Sequence, residues 1–96
     1  MKTLEIHIYG NVYKTGMRYF LKQAAVQTGI KGLVKYTEDY SLLVIAEGPG
    51  ESLDSFLDFC RLGYIDSEIG DVNVREVNPQ NFYTFEILNE YEEEVL

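Results

Sequence analysis

The chain has 96 residues, a formal net charge of −8, one cysteine and one histidine. This length fits a single domain with its own hydrophobic core, and the residue counts exclude a disulfide framework and argue against a metal site. The negative charge disfavours nucleic acid as a partner, and the sequence has neither a signal peptide nor a membrane span, so a cytoplasmic protein is expected.

The first predicted element is a half-buried strand at residues 3–9, where apolar residues alternate with polar or aromatic ones. A loop bracketed by Gly10 and Gly16 follows this strand and leads directly into a helix. The helix is predicted over residues 17–28 because its apolar residues recur at helical spacing. Gly29 then provides a left-handed stop.

The junction between this strand and this helix is a candidate anion-binding site. Loop amides and a helix N-terminus can point at one anion, and Arg18 in the first helical turn can supply a bidentate guanidinium. Residues 1–37 carry six basic side chains and one acidic, whereas residues 38–96 carry two basic and fifteen acidic. A positive cleft on an acidic body would attract small anions. Ordinary solvated surface with an uneven charge distribution is the alternative interpretation.

The rest of the chain predicts one more helix and four more strands. The helix follows Gly48-Pro49-Gly50, has an amphipathic pattern and ends near residues 62–63. The order βαββαβ, with one more strand at the end, predicts an α/β (α+β) two-layer sandwich of ferredoxin-like topology. Both helices would lie on one face of an antiparallel sheet. The four strands are predicted at residues 32–36, 41–47, 72–77 and 82–88.

The loop and the first helix resemble a signature of the acylphosphatase family. Residues 9–20 read Tyr-Gly-Asn-Val-Tyr-Lys-Thr-Gly-Met-Arg-Tyr-Phe, and the family pattern is Y-G-x-V-Q-G-V-G-F-R-x-F. Further on, residues 32–36 (Gly-Leu-Val-Lys-Tyr) are similar to G-W-V-x-N, and residues 44–49 (Val-Ile-Ala-Glu-Gly-Pro) are similar to V-x-A-E-G-P. The resemblance implies an acylphosphatase-like domain over residues 1–90, followed by an acidic tail at residues 91–96.

Known members of this family hydrolyse acyl phosphates to a carboxylate and phosphate without a metal or a cofactor. The resemblance therefore implies that Arg18 and the loop amides bind the phosphoryl group, while the family's asparagine orients the attacking water. This division suits phosphoryl transfer, which needs charge stabilisation and an in-line nucleophile. The candidate catalytic residues are Arg18 and Tyr36. The candidate phosphate-binding residues are Tyr13, Lys14, Thr15, Gly16, Met17 and Arg18.

Two departures from the family pattern bear on activity. Tyr36 stands where the family has its asparagine, and its hydroxyl is expected to lie farther out. Losing such a group typically costs on the order of 10²–10³ in rate. In the loop, Tyr13, Lys14 and Thr15 replace Gln-Gly-Val. If position 14 needs a positive φ, lysine costs around 1 kcal/mol there, although its ammonium could add an anion contact.

The leading hypothesis is an acylphosphatase-like protein that binds a phosphoryl group at residues 10–18 and hydrolyses acyl phosphates with impaired activity. The expected partner is a small anion such as phosphate or an acyl phosphate, and the chain is expected to be a monomer. A non-catalytic anion-binding or regulatory module on the same fold is the alternative. A nucleic-acid role is a third possibility, disfavoured by the acidic charge and by the lack of an aromatic-basic RNA-binding run.

Overall fold

The computed structural model describes residues 1–89, which form five strands and two helices. The predicted domain end at residue 90 and the predicted acidic tail at residues 91–96 lie outside the described residues. In chain order the elements are β1 (Lys2–Asn11), α1 (Met17–Thr28), β2 (Lys31–Tyr36), β3 (Leu42–Gly48), α2 (Gly50–Leu62), β4 (Glu68–Val77) and β5 (Phe85–Ile87).

The five strands form one sheet in the order β4-β1-β3-β2-β5, which confirms the predicted ferredoxin-like fold. Neighbouring strands are antiparallel except β2 and β5, which run parallel, so the sheet is mixed and not antiparallel throughout. The reason is the path of the chain after β4. Residues 78–84 cross from one edge of the sheet to the other, and β5 then starts from the same end as β2.

Alternate residues of the central strands pack against both helices in one hydrophobic core. The helical stripe of α2 includes Cys60, which is fully buried, and burial raises the pKa of its thiol to about 12. Cys60 is therefore a small core residue. No helix within residues 1–89 is long and apolar enough to cross a membrane. The largest fully buried side chains include Ile6, Ile8, Met17, Leu21, Val34, Val44, Leu53 and Phe56.

Most predicted element bounds are close to the observed ones. Helix α1 covers residues 17–28 as predicted, and Gly29 ends it with a φ of 74°. Strand β4 begins at Glu68, earlier than the predicted residue 72, because a bulge near Gly70 shifts the register and lets pairing with β1 continue. The last strand is shorter than the predicted 82–88 and covers only three residues.

A buried carboxylate ties β3 to β1 and to the segment that precedes β5. Oε2 of Glu47 accepts hydrogen bonds from the Thr3 hydroxyl at 2.6 Å and from the amides of Gln80 at 2.8 Å and Asn81 at 3.3 Å. Oε1 accepts one from the Phe82 amide at 3.0 Å. These donors, the Thr3 hydroxyl above all, lower the pKa of Glu47 from 4.5 to about 2.

We expect Glu47→Gln to lower the free energy of unfolding by about 1.5–3 kcal/mol, because the new amide NH₂ would face hydrogen-bond donors. Since the pKa of Glu47 is lower in the folded state, its contribution is present above pH 4.5 and is lost as the pH falls towards about 2. Urea denaturation of both proteins across this pH range measures the difference, which should shrink at low pH. The exposed Glu76→Gln is the control, and a pH-independent difference would contradict the prediction.

Candidate active site

The loop between β1 and α1 is built on two left-handed residues. Lys14 has a φ of 55° and Gly16 a φ of 86°. Gly16 is also the N-cap of α1, and a Cβ at this position would lie 3.2 Å from the Tyr64 ring. Because glycine has no capping side chain, the first-turn amides of α1 are left for another acceptor. The backbone therefore has the form of an anion cradle.

Two of the predicted phosphate-binding residues use their side chains to fasten this loop. The Thr15 hydroxyl donates to the carbonyl of Val12 at 3.0 Å and lies 2.7 Å from the Ser67 hydroxyl. The side chain of Met17 is buried in the core, where its sulfur accepts a hydrogen bond from the Tyr64 amide at 3.4 Å. Thr15 and Met17 can therefore contact a bound anion only through their backbone amides.

Tyr36, at the end of β2, reaches the loop with its hydroxyl. The Lys14 amide donates a hydrogen bond to Tyr36 Oη at 2.8 Å. Tyr36 is only 8% exposed, and its ring packs edge-on against the Tyr13 ring at 4.9 Å. The Tyr36 hydroxyl therefore lies within the loop. The oxygen occupies the acceptor position of a cradle amide.

Arg18, in the first turn of α1, lies beside the same ring. Its guanidinium carbon is 4.4 Å from the centroid of Tyr36 and 5.8 Å from that of Tyr19, which is cation–π distance. Arg18 Nη1 also donates a hydrogen bond to Asn89 Oδ1 at 2.7 Å. Arg18 is 8% exposed, so these contacts fix a largely buried cation next to the loop.

Tyrosine side chains form an aromatic rim on the Tyr36 side of the cradle. The rings of Tyr13 and Tyr40 lie 4.4 Å apart, and Lys14 Nζ lies 5.4 Å from the Tyr13 ring. The structure thus places Tyr36 in contact with Tyr13, Lys14 and Arg18. The lysine ammonium rests over an aromatic face at the rim, where it adds positive charge near the loop.

Sequence reasoning missed Asn89 and Ser67. Asn89 is 71 residues from Arg18 and Ser67 is 52 residues from Thr15, so no local pattern links either pair. A polar residue just after the last strand is the only signal that Asn89 offers. Within residues 1–89, no three histidine, cysteine, aspartate or glutamate side chains are grouped to hold a metal ion. The groups that the site brings together are a guanidinium, an ammonium, backbone amides and a phenol.

Comparison with known proteins gives one consistent result. The family description "Acylphosphatase" matches residues 4–87. The acylphosphatase of Archaeoglobus fulgidus is 36% identical over 87 residues, which cover 91% of this chain and 98% of that protein. The acylphosphatase of Pseudothermotoga lettingae is 38% identical over 88 residues, with 92% and 99% covered. The crystal structure of Bacillus subtilis acylphosphatase superposes with a TM-score of 0.89 at 30% identity, covering 93% of this chain and all of that one.

We expect Tyr36→Phe to lower the free energy of unfolding by about 1 kcal/mol, because the partly buried Lys14 amide loses its acceptor while the ring packing is kept. Urea denaturation measures the loss. The matched control is Tyr83→Phe, since Tyr83 is 91% exposed. Equal effects of the two substitutions would contradict the assignment of this hydrogen bond.

Proposed function

Because the chain belongs to the acylphosphatase family, we propose that it binds the phosphoryl group of an acyl phosphate at residues 10–18. We propose further that it hydrolyses this acyl phosphate slowly to a carboxylate and phosphate. Arg18 and the amides of the loop hold the phosphoryl oxygens in this proposal. No metal or cofactor is part of it. The partner is a small anion, and the working unit is a single chain.

The observation that carries this proposal is the hydrogen bond from the Lys14 amide to Tyr36 Oη. That amide is taken by an acceptor that belongs to the protein itself, which leaves the phosphoryl oxygens to Arg18 and the other loop amides. Arg18 is nearby, and its guanidinium can stabilise the negative charge on the equatorial oxygens of a transferring phosphoryl group. The cradle is thus suited to a phosphoryl group, but one of its amides already has a hydrogen-bond acceptor before a phosphoryl group binds.

Tyr36 limits the rate in two ways under this proposal. Because its hydroxyl holds the Lys14 amide, one fewer donor is left for the phosphoryl oxygens. In addition, a phenol donates and accepts through a single oxygen, whereas the side-chain amide of an asparagine donates through its nitrogen and accepts through its oxygen. A water molecule is then less well oriented for in-line attack, and poor orientation alone can cost two orders of magnitude in rate.

A second candidate is a non-catalytic anion-binding module. It is favoured by the way the site groups contact one another: Tyr36 takes the Lys14 amide, and Asn89 takes one nitrogen of Arg18. Such a site can exchange these contacts for an anion without any chemistry. Phosphate binding without turnover would favour this second candidate over slow hydrolysis.

We expect inorganic phosphate at about ten times its Kd to stabilise the chain by about 1.4 kcal/mol and to raise its Tm by roughly 5–10 °C. The shift should disappear in Arg18→Ala, since the guanidinium is lost from the cradle. Thermal unfolding with and without phosphate measures it. Arg61→Ala, at the exposed end of α2, is the matched control and should keep the shift. An unchanged shift in Arg18→Ala would contradict the proposed site.

We expect Tyr36→Asn to hydrolyse benzoyl phosphate faster than the native chain, by on the order of 10², because an amide again orients the water. Initial rates of both proteins under identical conditions measure this. Fast native turnover that falls in Arg18→Ala would mean that Tyr36 does not limit the reaction. If neither protein hydrolyses benzoyl phosphate but both still bind phosphate, the non-catalytic module is favoured.

A further inference from the structure

We propose that Tyr36 is itself a phosphoryl acceptor, and that its hydroxyl takes the phosphoryl group from an acyl phosphate bound in the cradle. The product is a phosphotyrosine at position 36. This inference rests on the proposed function, because the acyl phosphate must first bind at residues 10–18. It goes further by giving the chain a second, self-modifying reaction at the same site.

The first argument is the location of the hydroxyl oxygen. Tyr36 Oη lies 2.8 Å from the Lys14 amide nitrogen, so it is inside the cradle and not at its edge. By resemblance, position 36 belongs to a residue that orients a water molecule for attack. A tyrosine is longer than an asparagine, and its own oxygen can therefore stand where the water would be. The side chain then carries the nucleophile instead of positioning one.

The second argument is that this hydroxyl is held in place. The ring is 8% exposed, packs against Tyr13 at 4.9 Å and lies under the Arg18 guanidinium at 4.4 Å. A nucleophile fixed by its surroundings loses little entropy in the transition state, and such positioning can accelerate a reaction by several orders of magnitude. Arg18 is also close enough to the ring to stabilise charge on a phosphoryl group attached to Oη.

The reaction balances with the acyl phosphate as the only co-reactant. The Tyr36 Oη–phosphorus bond forms as the bond between phosphorus and the acyl oxygen breaks. The electron pair of the broken bond leaves with the carboxylate, and the phenolic proton passes to solvent water. The transition state is loose, so the nucleophile needs little activation by a base. The products are a carboxylate and the Tyr36 phosphate ester.

The aryl ester should accumulate. A phenol is a much weaker acid than a carboxylic acid, so phenolate is the poorer leaving group when water attacks the ester. The first equivalent of acyl phosphate is then consumed faster than later ones. The native chain should release about one carboxylate per molecule in a burst, followed by a slow phase.

The experiment treats the intact chain with benzoyl phosphate and analyses it by intact mass and peptide mapping. The expected result is one phosphoryl group per chain on Tyr36, bound as an acid-stable ester, which distinguishes it from phosphohistidine and from an acyl phosphate on a carboxylate. Tyr36→Phe should carry no such group, and Arg18→Ala should be labelled slower by roughly tenfold or more. Tyr83→Phe, at an exposed tyrosine outside the site, is the matched control and should be labelled like the native chain.

Failure of this inference can be separated from failure of the proposed function. If phosphate protects the fold in an Arg18-dependent way but Tyr36 carries no phosphoryl group, the phosphoryl-acceptor role is overturned and anion binding stands. If there is neither protection nor label, both are overturned. Label on Tyr36 that persists in Arg18→Ala, or equal label on Tyr40, would indicate unspecific chemistry and would also overturn the inference. Circular dichroism confirms that each variant is folded.

Discussion

One hydrogen bond, from the Lys14 amide to the Tyr36 hydroxyl, joins the loop to the sheet across 22 residues of sequence. The loop needs such a tie because Lys14 is held in a left-handed conformation that L-residues other than glycine adopt at a cost. The same ring supports the Arg18 guanidinium. The position of the loop and the position of the cation therefore both depend on a single aromatic side chain.

Much of the fold follows from local patterns. The bounds of α1 could be predicted because its apolar residues repeat at helical spacing and Gly29 ends the repeat. The start of β4 could not, because the bulge near Gly70 interrupts the alternation on which a strand prediction depends. The direction of β5 could not be predicted either, since it depends on where residues 78–84 cross the sheet and not on any property of the strand itself.

For the candidate site, the sequence could identify the main residues but not all of their contacts. A sequence signature singles out Arg18 and Tyr36, and the structure brings the two together. The length of a tyrosine side chain predicts an oxygen farther out than that of an asparagine, but it does not tell which group this oxygen meets, which is the Lys14 amide. The hydrogen bond between Arg18 and Asn89 depends on where β5 pairs in the sheet, and no periodic sequence pattern predicts it.

The placement of β5 has a consequence for the order in which the protein can assemble. Strand β5 lies at an edge, beside β2, and it carries the chain to the asparagine that binds Arg18. Arg18 precedes Asn89 by 71 residues, so it is synthesised well before its partner. A chain emerging from the ribosome therefore holds its cationic loop without this partner until β5 has been released, so Arg18 gains this contact only after the strands β1 to β5 have all been made.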